Sequence, residues 1–389
     1  MVCDNTAAHA EPGGFGLYLH IPFCSSKCPY CDFFSIVPQE KQEIAAYPGL
    51  LLQELQQEAR EWQGPLTSIF FGGGTPSLLP IEGIKAILDA ARAFFGFADS
   101  IEISLEANPG TVTLPYLTAL RRAGVNRLSL GVQALSDADL ARLGRVHSRQ
   151  ESLDAIAAAR TAGFANLSLD LIYSRPEQDL DHLRGEIAQL LALQPQHLSC
   201  YGLTVEAGTP FAQREEAGTL VLPAEDAAAA AYLCVHEELT KGGFSHYEIS
   251  NFARPGFECC HNLGYWRRRP YLGLGAGAHS LRGNGWGERL SVPPDLDLYR
   301  QRLAAGTATA ESIEICDQQL AMAETLYLGL RTAEEVSDAA FSRRFGRNIA
   351  EVFPAAIARC GDRLHHDNGH WHFDLDGWLL YDHLIANFL

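Results

Sequence analysis

The sequence predicts an α/β protein: a partial (β/α)6 barrel of TIM type followed by a smaller α+β C-terminal domain. Two observations carry this expectation. Between residues 15 and 222, six short apolar segments alternate with helix-patterned ones, as parallel strands joined by crossover helices do. The polar and glycine residues of this half gather where each expected strand ends, on the rim where such barrels place their chemistry. Six units do not close a full barrel, so the expected barrel is open.

Taken in order, the first strand starts at Gly16 and runs straight into a loop holding Cys24, Cys28 and Cys31. Helical periodicity over Gln39 to Gln63 precedes a second strand, Thr67 to Phe71, which ends in Gly72-Gly73-Gly74-Thr75-Pro76-Ser77. A helix over Ile81 to Phe95 leads to Ser100 to Ala107, where apolar and polar residues alternate with the period of a strand that Glu106 and Asn108 end. Helix Pro115 to Ala123, strand Arg127 to Val132 with Gln133 behind it, and helices Asp137 to Leu143 and Gln150 to Ala162 follow. The half closes with strand Asn166 to Ile172 carrying Asp170, helix Leu180 to Leu193, and strand His197 to Leu203 with Tyr201 near its end. From Pro223 the pattern changes to an alanine-rich helix over Ala224 to Lys241, then a glycine-dense strand or loop, Tyr271 to Ser280. The expected organisation is a flexible N-terminus (1–14), the barrel (15–222), an extension or linker (223–316), and a small C-terminal domain (317–389) with a β-like Trp371 to Leu379.

Composition narrows the function classes. A formal net charge of −17 argues against a nucleic-acid partner and against attraction to anionic lipid. Residues 1–14 hold no apolar core of a signal peptide, and the uncharged stretch Trp62 to Ile81 is broken by glycines and prolines, so neither secretion nor a membrane span is expected. Ten cysteines, three clustered and the others scattered, fit a reducing cytosol.

The C-x3-C-x2-C spacing of Cys24, Cys28 and Cys31 brings three soft thiolates onto one tight loop, which suits zinc or an iron–sulfur cluster. Zinc takes a fourth protein ligand, and only His20 stands nearby. A cubane cluster held by three cysteines leaves one iron open to an outside ligand.

This spacing resembles that of the radical S-adenosylmethionine (radical SAM) superfamily, in which the open iron chelates the amino and carboxylate groups of the cofactor's methionine moiety. Tyr18 and the run His20-Ile21-Pro22-Phe23-Cys24 are similar to the branch that includes coproporphyrinogen dehydrogenases and heme chaperones. The resemblance spans about Gly16 to Ser280. It implies a [4Fe-4S] cluster on Cys24, Cys28 and Cys31, with Gly73, Gly74 and Thr75 against SAM and Tyr18 and Tyr30 near cluster and adenine. It also places Glu106, Gln133, Arg145 and Asp170 around SAM's amino, ribose and carboxylate groups. A glycine triplet alone reads equally well as a tight strand-to-helix turn.

Two features divide the branches. The dehydrogenases carry a fourth cysteine two residues after the third, where this chain has Phe33, and a longer lead than the 23 residues before Cys24. His261-Asn262-x-x-Tyr265-Trp266 matches the H-N-x-x-Y-W heme-binding motif of the chaperones. The resemblance therefore implies heme on His261, Tyr265 and Trp266 on the porphyrin edge, and Arg267 to Arg269 on propionates, with Cys259 and Cys260 as rival ligands. His279 reads as a core hydrogen-bonding residue or part of a tetrapyrrole pocket, the former being favoured, and His365, His366, His370 and His372 read as a solvated turn.

The implied protein is a cytoplasmic heme chaperone that passes heme to apo-hemoproteins. These include membrane respiratory enzymes, met transiently at the membrane's inner face. An electron donor is required if SAM is cleaved, and the oligomeric state, a homodimer included, is left open. The alternative is an oxygen-independent coproporphyrinogen III dehydrogenase; a structural zinc module is a third class.

Overall fold

The computed structural model describes residues 14–389, so the expected flexible N-terminus lies outside the described residues but for Gly14. The first half runs β1 (Phe15–Ile21), α1 (Lys41–Glu58), β2 (Leu66–Gly73), α2 (Ile81–Phe95), β3 (Phe97–Ala107), α3 (Leu114–Ala123) and β4 (Arg127–Gln133). It continues through α4 (Asp137–Arg142), α5 (Arg149–Thr161), β5 (Asn166–Tyr173), α6 (Leu180–Ala192), β6 (His197–Gly202) and α7 (Pro210–Glu216). Then come α8 (Glu225–Lys241), β7 (Ser245–Glu248), β8 (Asn251–Ala253), α9 (Cys260–Trp266), β9 (Tyr271–Leu274), β10 (His279–Arg282) and β11 (Glu288–Ser291). The chain finishes with α10 (Leu296–Ala305), β12 (Glu311–Ile315), α11 (Gln318–Gly329), β13 (Val336–Ser337), α12 (Asp338–Phe345), α13 (Ile349–Val352), α14 (Pro354–Cys360), β14 (Leu364–Asp367), β15 (His370–Phe373), α15 (Leu375–Leu379) and α16 (Tyr381–Ile385).

Strands β1 to β6 pair in parallel and in sequence order. The structure adds a seventh parallel strand that the sequence reading did not separate from its glycine-dense surroundings: β9 pairs with the other edge of β1. Beyond β9 the sheet turns antiparallel through β10, β11 and β12, and beyond β6 it ends in β8 and β7, giving one 12-stranded sheet in the described residues.

Period-two alternation sorts the two faces of this sheet. Ile69, Phe71, Ile103, Leu105, Leu128, Leu130, Leu167 and Leu169 are buried with helix residues such as Leu51, Ile84, Leu117 and Leu183 in one apolar core. The alternate positions are polar and lie side by side in register: Ser68 with Glu102, Glu106 with Ser129, and Asp170 with Ser199. They face the lumen, which is therefore lined by polar groups rather than packed with branched side chains.

The C-terminal residues build a three-stranded sheet ordered β13-β15-β14. Here the structure corrects one expectation. Strand character stops at Phe373, because Asp374 Oδ1 accepts from Gly377 N (2.7 Å) and so caps helix α15 over residues expected to be β. His365, His366 and His372 of the hairpin each face a different carboxylate, Asp374, Asp338 and Glu335.

Candidate functional site

The cysteine loop leaves β1 at the strand's C-terminal end and is closed at its base, with Cys24 N donating to Ile36 O (2.9 Å) and Ile36 N to Pro22 O (2.7 Å). Inside it Cys31 N donates to Cys28 O (3.2 Å). The three thiols are near neighbours: burial first, then the closeness of Cys28 and Cys24, push the Cys31 thiol above its ordinary range. Among the described residues no three His, Cys, Asp or Glu side chains converge tightly enough to hold a single metal ion. His20, the one local candidate for a fourth zinc ligand, is turned away, with Nδ1 3.0 Å from Tyr18 OH and Nε2 2.9 Å from Phe34 O.

The end of β2 presses against this loop. Gly74 N donates to Ile21 O (2.8 Å), and a Cβ on Gly74 would stand 2.7 Å from Phe23 O and 3.0 Å from Cys24 Sγ. Gly73 has φ +107°, and its missing Cβ makes room for the His20 ring, while Gly72 does the same for Tyr18 and Phe70. The triplet is thus required by packing at its first two positions and by the cysteine loop at its third.

From Thr75 a chain of polar contacts crosses three strand ends. Thr75 Oγ1 lies 3.5 Å from Cys24 Sγ and accepts from Asn108 Nδ2 (2.9 Å). Arg145 Nη2 donates to Asn108 Oδ1 and to Gly131 O (3.3 Å), and Nη1 reaches Cys28 Sγ (3.2 Å) and Tyr30 OH (3.5 Å). Tyr30 packs its ring edge on Phe211. Gln133 ends β4 in the left-handed region (φ 64°), and among the described residues its buried Oε1 has no partner, nor has Arg145 Nε. Deeper in the lumen Asp170 accepts from Ser129 Oγ (3.0 Å), and Glu106 accepts from Gly73 N. Burial, and then Asp170, push Glu106 up to about 8; burial also raises Asp170. The structure therefore brings together Cys24, Cys28, Cys31, Tyr30, Gly73, Gly74, Thr75, Gln133 and Arg145 at the rim, with Glu106 and Asp170 below them. Asn108 completes the chain between Thr75 and Arg145. The sequence reading noted it only as a strand end.

Helix α9 is placed elsewhere. It lies across the lumen at the N-terminal halves of the strands, where Glu102 accepts from Cys260 N and His261 N (both 3.2 Å) and receives the Cys259 thiol (3.5 Å). His261 is 2% exposed, with Nδ1 2.8 Å from Ser68 Oγ and Nε2 2.8 Å from Tyr265 OH. Tyr18 and Phe70 stack on its ring, and burial followed by Arg127 depresses its pKa to about 3. In this fold His261 has no nitrogen free for iron. Asn262 is half-buried, with its N–H on the Cys259 thiol, and Trp266 lies under the Arg331 guanidinium (4.0 Å). Two of the arginines expected on propionates are already engaged, Arg267 with Glu334 and Arg268 with Glu324.

Of the motif, Tyr265 lines an open cavity of about 380 Å³, together with Tyr18, Phe33, Phe34, Tyr271 and His279. His279 is thus exposed to this cavity rather than fixed in the core, contrary to expectation.

A sequence profile of the radical SAM superfamily matches residues 18–190, and one of the HemN C-terminal domain matches residues 317–380. The heme chaperone HemW of Bacillus subtilis is 36% identical over 379 residues, covering 96% of this chain and 98% of that one. That of Synechocystis is 38% identical over 368 residues (92% and 87%), and that of Escherichia coli 43% over 264 residues (68% and 69%). Among solved structures, the coproporphyrinogen III oxidase HemN of Escherichia coli superposes with a TM-score of 0.82 over 98% of this chain and 91% of its own, at 23% identity, a likeness of fold. The chain belongs to the radical SAM superfamily and, within it, to the family of the heme chaperone HemW relatives.

Proposed function

We propose that this protein is a heme chaperone that takes up heme beside its cysteine-bearing rim and passes it to apo-hemoproteins. The observation that carries the reading is the likeness, over 96% of the chain, to the Bacillus subtilis heme chaperone. The open aromatic cavity next to the cysteine loop supports it, since a porphyrin buries its faces against rings. Phe33, standing where the dehydrogenase branch has a further cysteine, argues in the same direction.

Cys24, Cys28 and Cys31 hold a [4Fe-4S] cluster. Its support is the soft donor set on one closed loop and the bare Gly74 backbone against Cys24. Tyr18, Tyr30, Gly73, Gly74, Thr75, Glu106, Gln133, Arg145 and Asp170 receive SAM; the unpartnered Gln133 Oε1 and Arg145 Nε are groups a bound cofactor satisfies. When reduced, such a cluster supplies the electron for cleaving a sulfonium carbon–sulfur bond. Arg145 spans the site and donates towards Cys28, while the lumen carboxyls Glu106 and Asp170 face the cofactor's cationic end, which favours their charged forms.

We place the acceptors among respiratory hemoproteins met at the membrane from the cytoplasmic side, with an electron donor where SAM is cleaved. A homodimer is compatible with this reading. No helix of the described residues is long and apolar enough to cross a membrane.

Anaerobically reconstituted protein, loaded with hemin and mixed with an apo-hemoprotein, is expected to transfer the heme, read as the acceptor's own Soret spectrum. Formation of protoporphyrinogen from coproporphyrinogen III, with SAM and reductant, would replace this reading by the dehydrogenase one.

A further inference from the structure

Three imidazoles stand on or next to the aromatic cavity, and they differ in what their nitrogens do. His20 spends both, on Tyr18 and on the Phe34 carbonyl. His261 lies behind the Tyr18 ring and spends both, on Ser68 and Tyr265. His279, the first residue of β10, projects into the cavity, and neither of its nitrogens has a hydrogen-bond partner among the described residues.

On the basis of the heme-chaperone reading, we infer that the heme iron is bound by His279, in the cavity between the cysteine loop and strands β9 to β11, and not by His261.

The surroundings fit a porphyrin. Tyr18, Tyr265 and Tyr271 line the cavity on the lumen side, with Tyr265 and Tyr271 set edge to face at 4.5 Å. Phe33 and Phe34 line it from the cysteine loop, and Phe33 is 65% exposed, an apolar ring in water that a bound macrocycle would cover. Phe34 and Pro294 also line a second, neighbouring cavity of about 780 Å³. Coordination needs the neutral imidazole, and burial followed by the nearby Arg289 guanidinium lowers the proton affinity of His279. The backbone fixes the ring's direction. Gly277 is in the left-handed region (φ 86°) with Phe34 against it, and His279 is paired with Ser291 in the β10–β11 ladder. Under this assignment the H-N-x-x-Y-W motif builds the floor of the cavity through Tyr265, and its histidine holds that tyrosine in place.

The test is hemin titration of the anaerobically reconstituted full chain, read by absorption and electron paramagnetic resonance. Wild-type protein is expected to show an imidazole-ligated spectrum. His279→Ala should lose that signature and bind hemin about tenfold or more weakly, and His279→Met should shift it to a different ligand field. Free imidazole added to His279→Gly should restore it, which a merely structural role would not allow. Cluster absorbance and far-ultraviolet circular dichroism check that each variant is folded. An unchanged imidazole signature in folded His279→Ala overturns this assignment and leaves the chaperone reading standing. Absence of hemin binding by the wild type overturns both.

Discussion

Glu106 faces Asp170 inside the lumen, and burial, reinforced by that neighbour, lifts its carboxyl to about 8. At pH 7 the side chain is therefore mostly protonated before any ligand arrives. A cation settling there favours the charged form and expels the proton. Binding of SAM should then release protons at pH 7. Its affinity should strengthen by up to about tenfold per pH unit as pH rises towards 8, and level off above it. Without ligand the sign reverses: a carboxyl raised in the folded state stabilises the fold at low pH and loses that contribution as pH climbs through 8. Calorimetric titrations in buffers of different ionisation enthalpy measure the released proton. Glu106→Gln should abolish the buffer dependence, and a wild-type signal independent of buffer would refute this account. At this scale the sequence revealed the cysteines and the single strand-end residues, because each announces itself by type and local spacing. It did not reveal the connections. Arg145 meets Cys28 across 117 positions and Asn108 across 37, and only the closing of the sheet brings those together. The engagement of His261 was illegible for a related reason: a motif records which residues occur, not whether their nitrogens are already bonded, as both of these are to Ser68 and Tyr265.

Among the elements, α9 has a capping arrangement that no local pattern signals. Its first N–H groups are satisfied by Glu102 from β3, more than 150 positions earlier, and the same carboxylate lies 4.0 Å from the buried Arg127. Glu102→Ala would strip the helix of its cap and take from the buried Arg127 the carboxylate 4.0 Å away, a loss on the order of 3–5 kcal/mol. The denaturant midpoint should fall accordingly, with faster amide exchange at residues 260–262; a shift of less than about 1 kcal/mol would show that α9 is held by packing alone. Longer elements were legible. The helix over Ile81–Phe95 was expected within its observed limits, and the six principal strands are where the apolar periodicity put them. Short elements were not. The four residues of β9 sit among glycines that serve close approach, Gly275 lying over the His20 carbonyl and Tyr47 hydroxyl, and that glycine density leaves strand and loop undistinguished in the sequence. The expected β-like stretch runs on to Leu379, whereas Asp374 followed by a helical turn is the stronger signal.

For the molecule as a whole, the question is whether the residues after Cys316 fold separately from the barrel. The contacts argue that they do not. Leu326, Phe341 and Trp371 belong to the same buried cluster as Leu17 and Leu128 of the central strands. Ile249 N donates to Arg331 O (3.2 Å) and Ala333 N to Tyr247 O (2.9 Å), so the backbone itself is bonded across the junction. Two buried charges depend on partners from beyond residue 316. Glu248 faces Arg331 at 3.5 Å, and Arg268 is paired with Glu324 at 2.5 Å. Removing one partner of a buried pair costs about 3–5 kcal/mol, and a domain is stable by only about 5–15 kcal/mol in total. A chain ending at Cys316 would lose both pairs, expose Trp266, and uncover the apolar faces that α11 and α12 protect. It should therefore be recovered as aggregate, bind a hydrophobic dye, and fail to load hemin even though every residue of the cavity is present. A truncated chain that elutes as a monomer and melts cooperatively would show instead that the C-terminal residues are an accessory to a barrel stable without them.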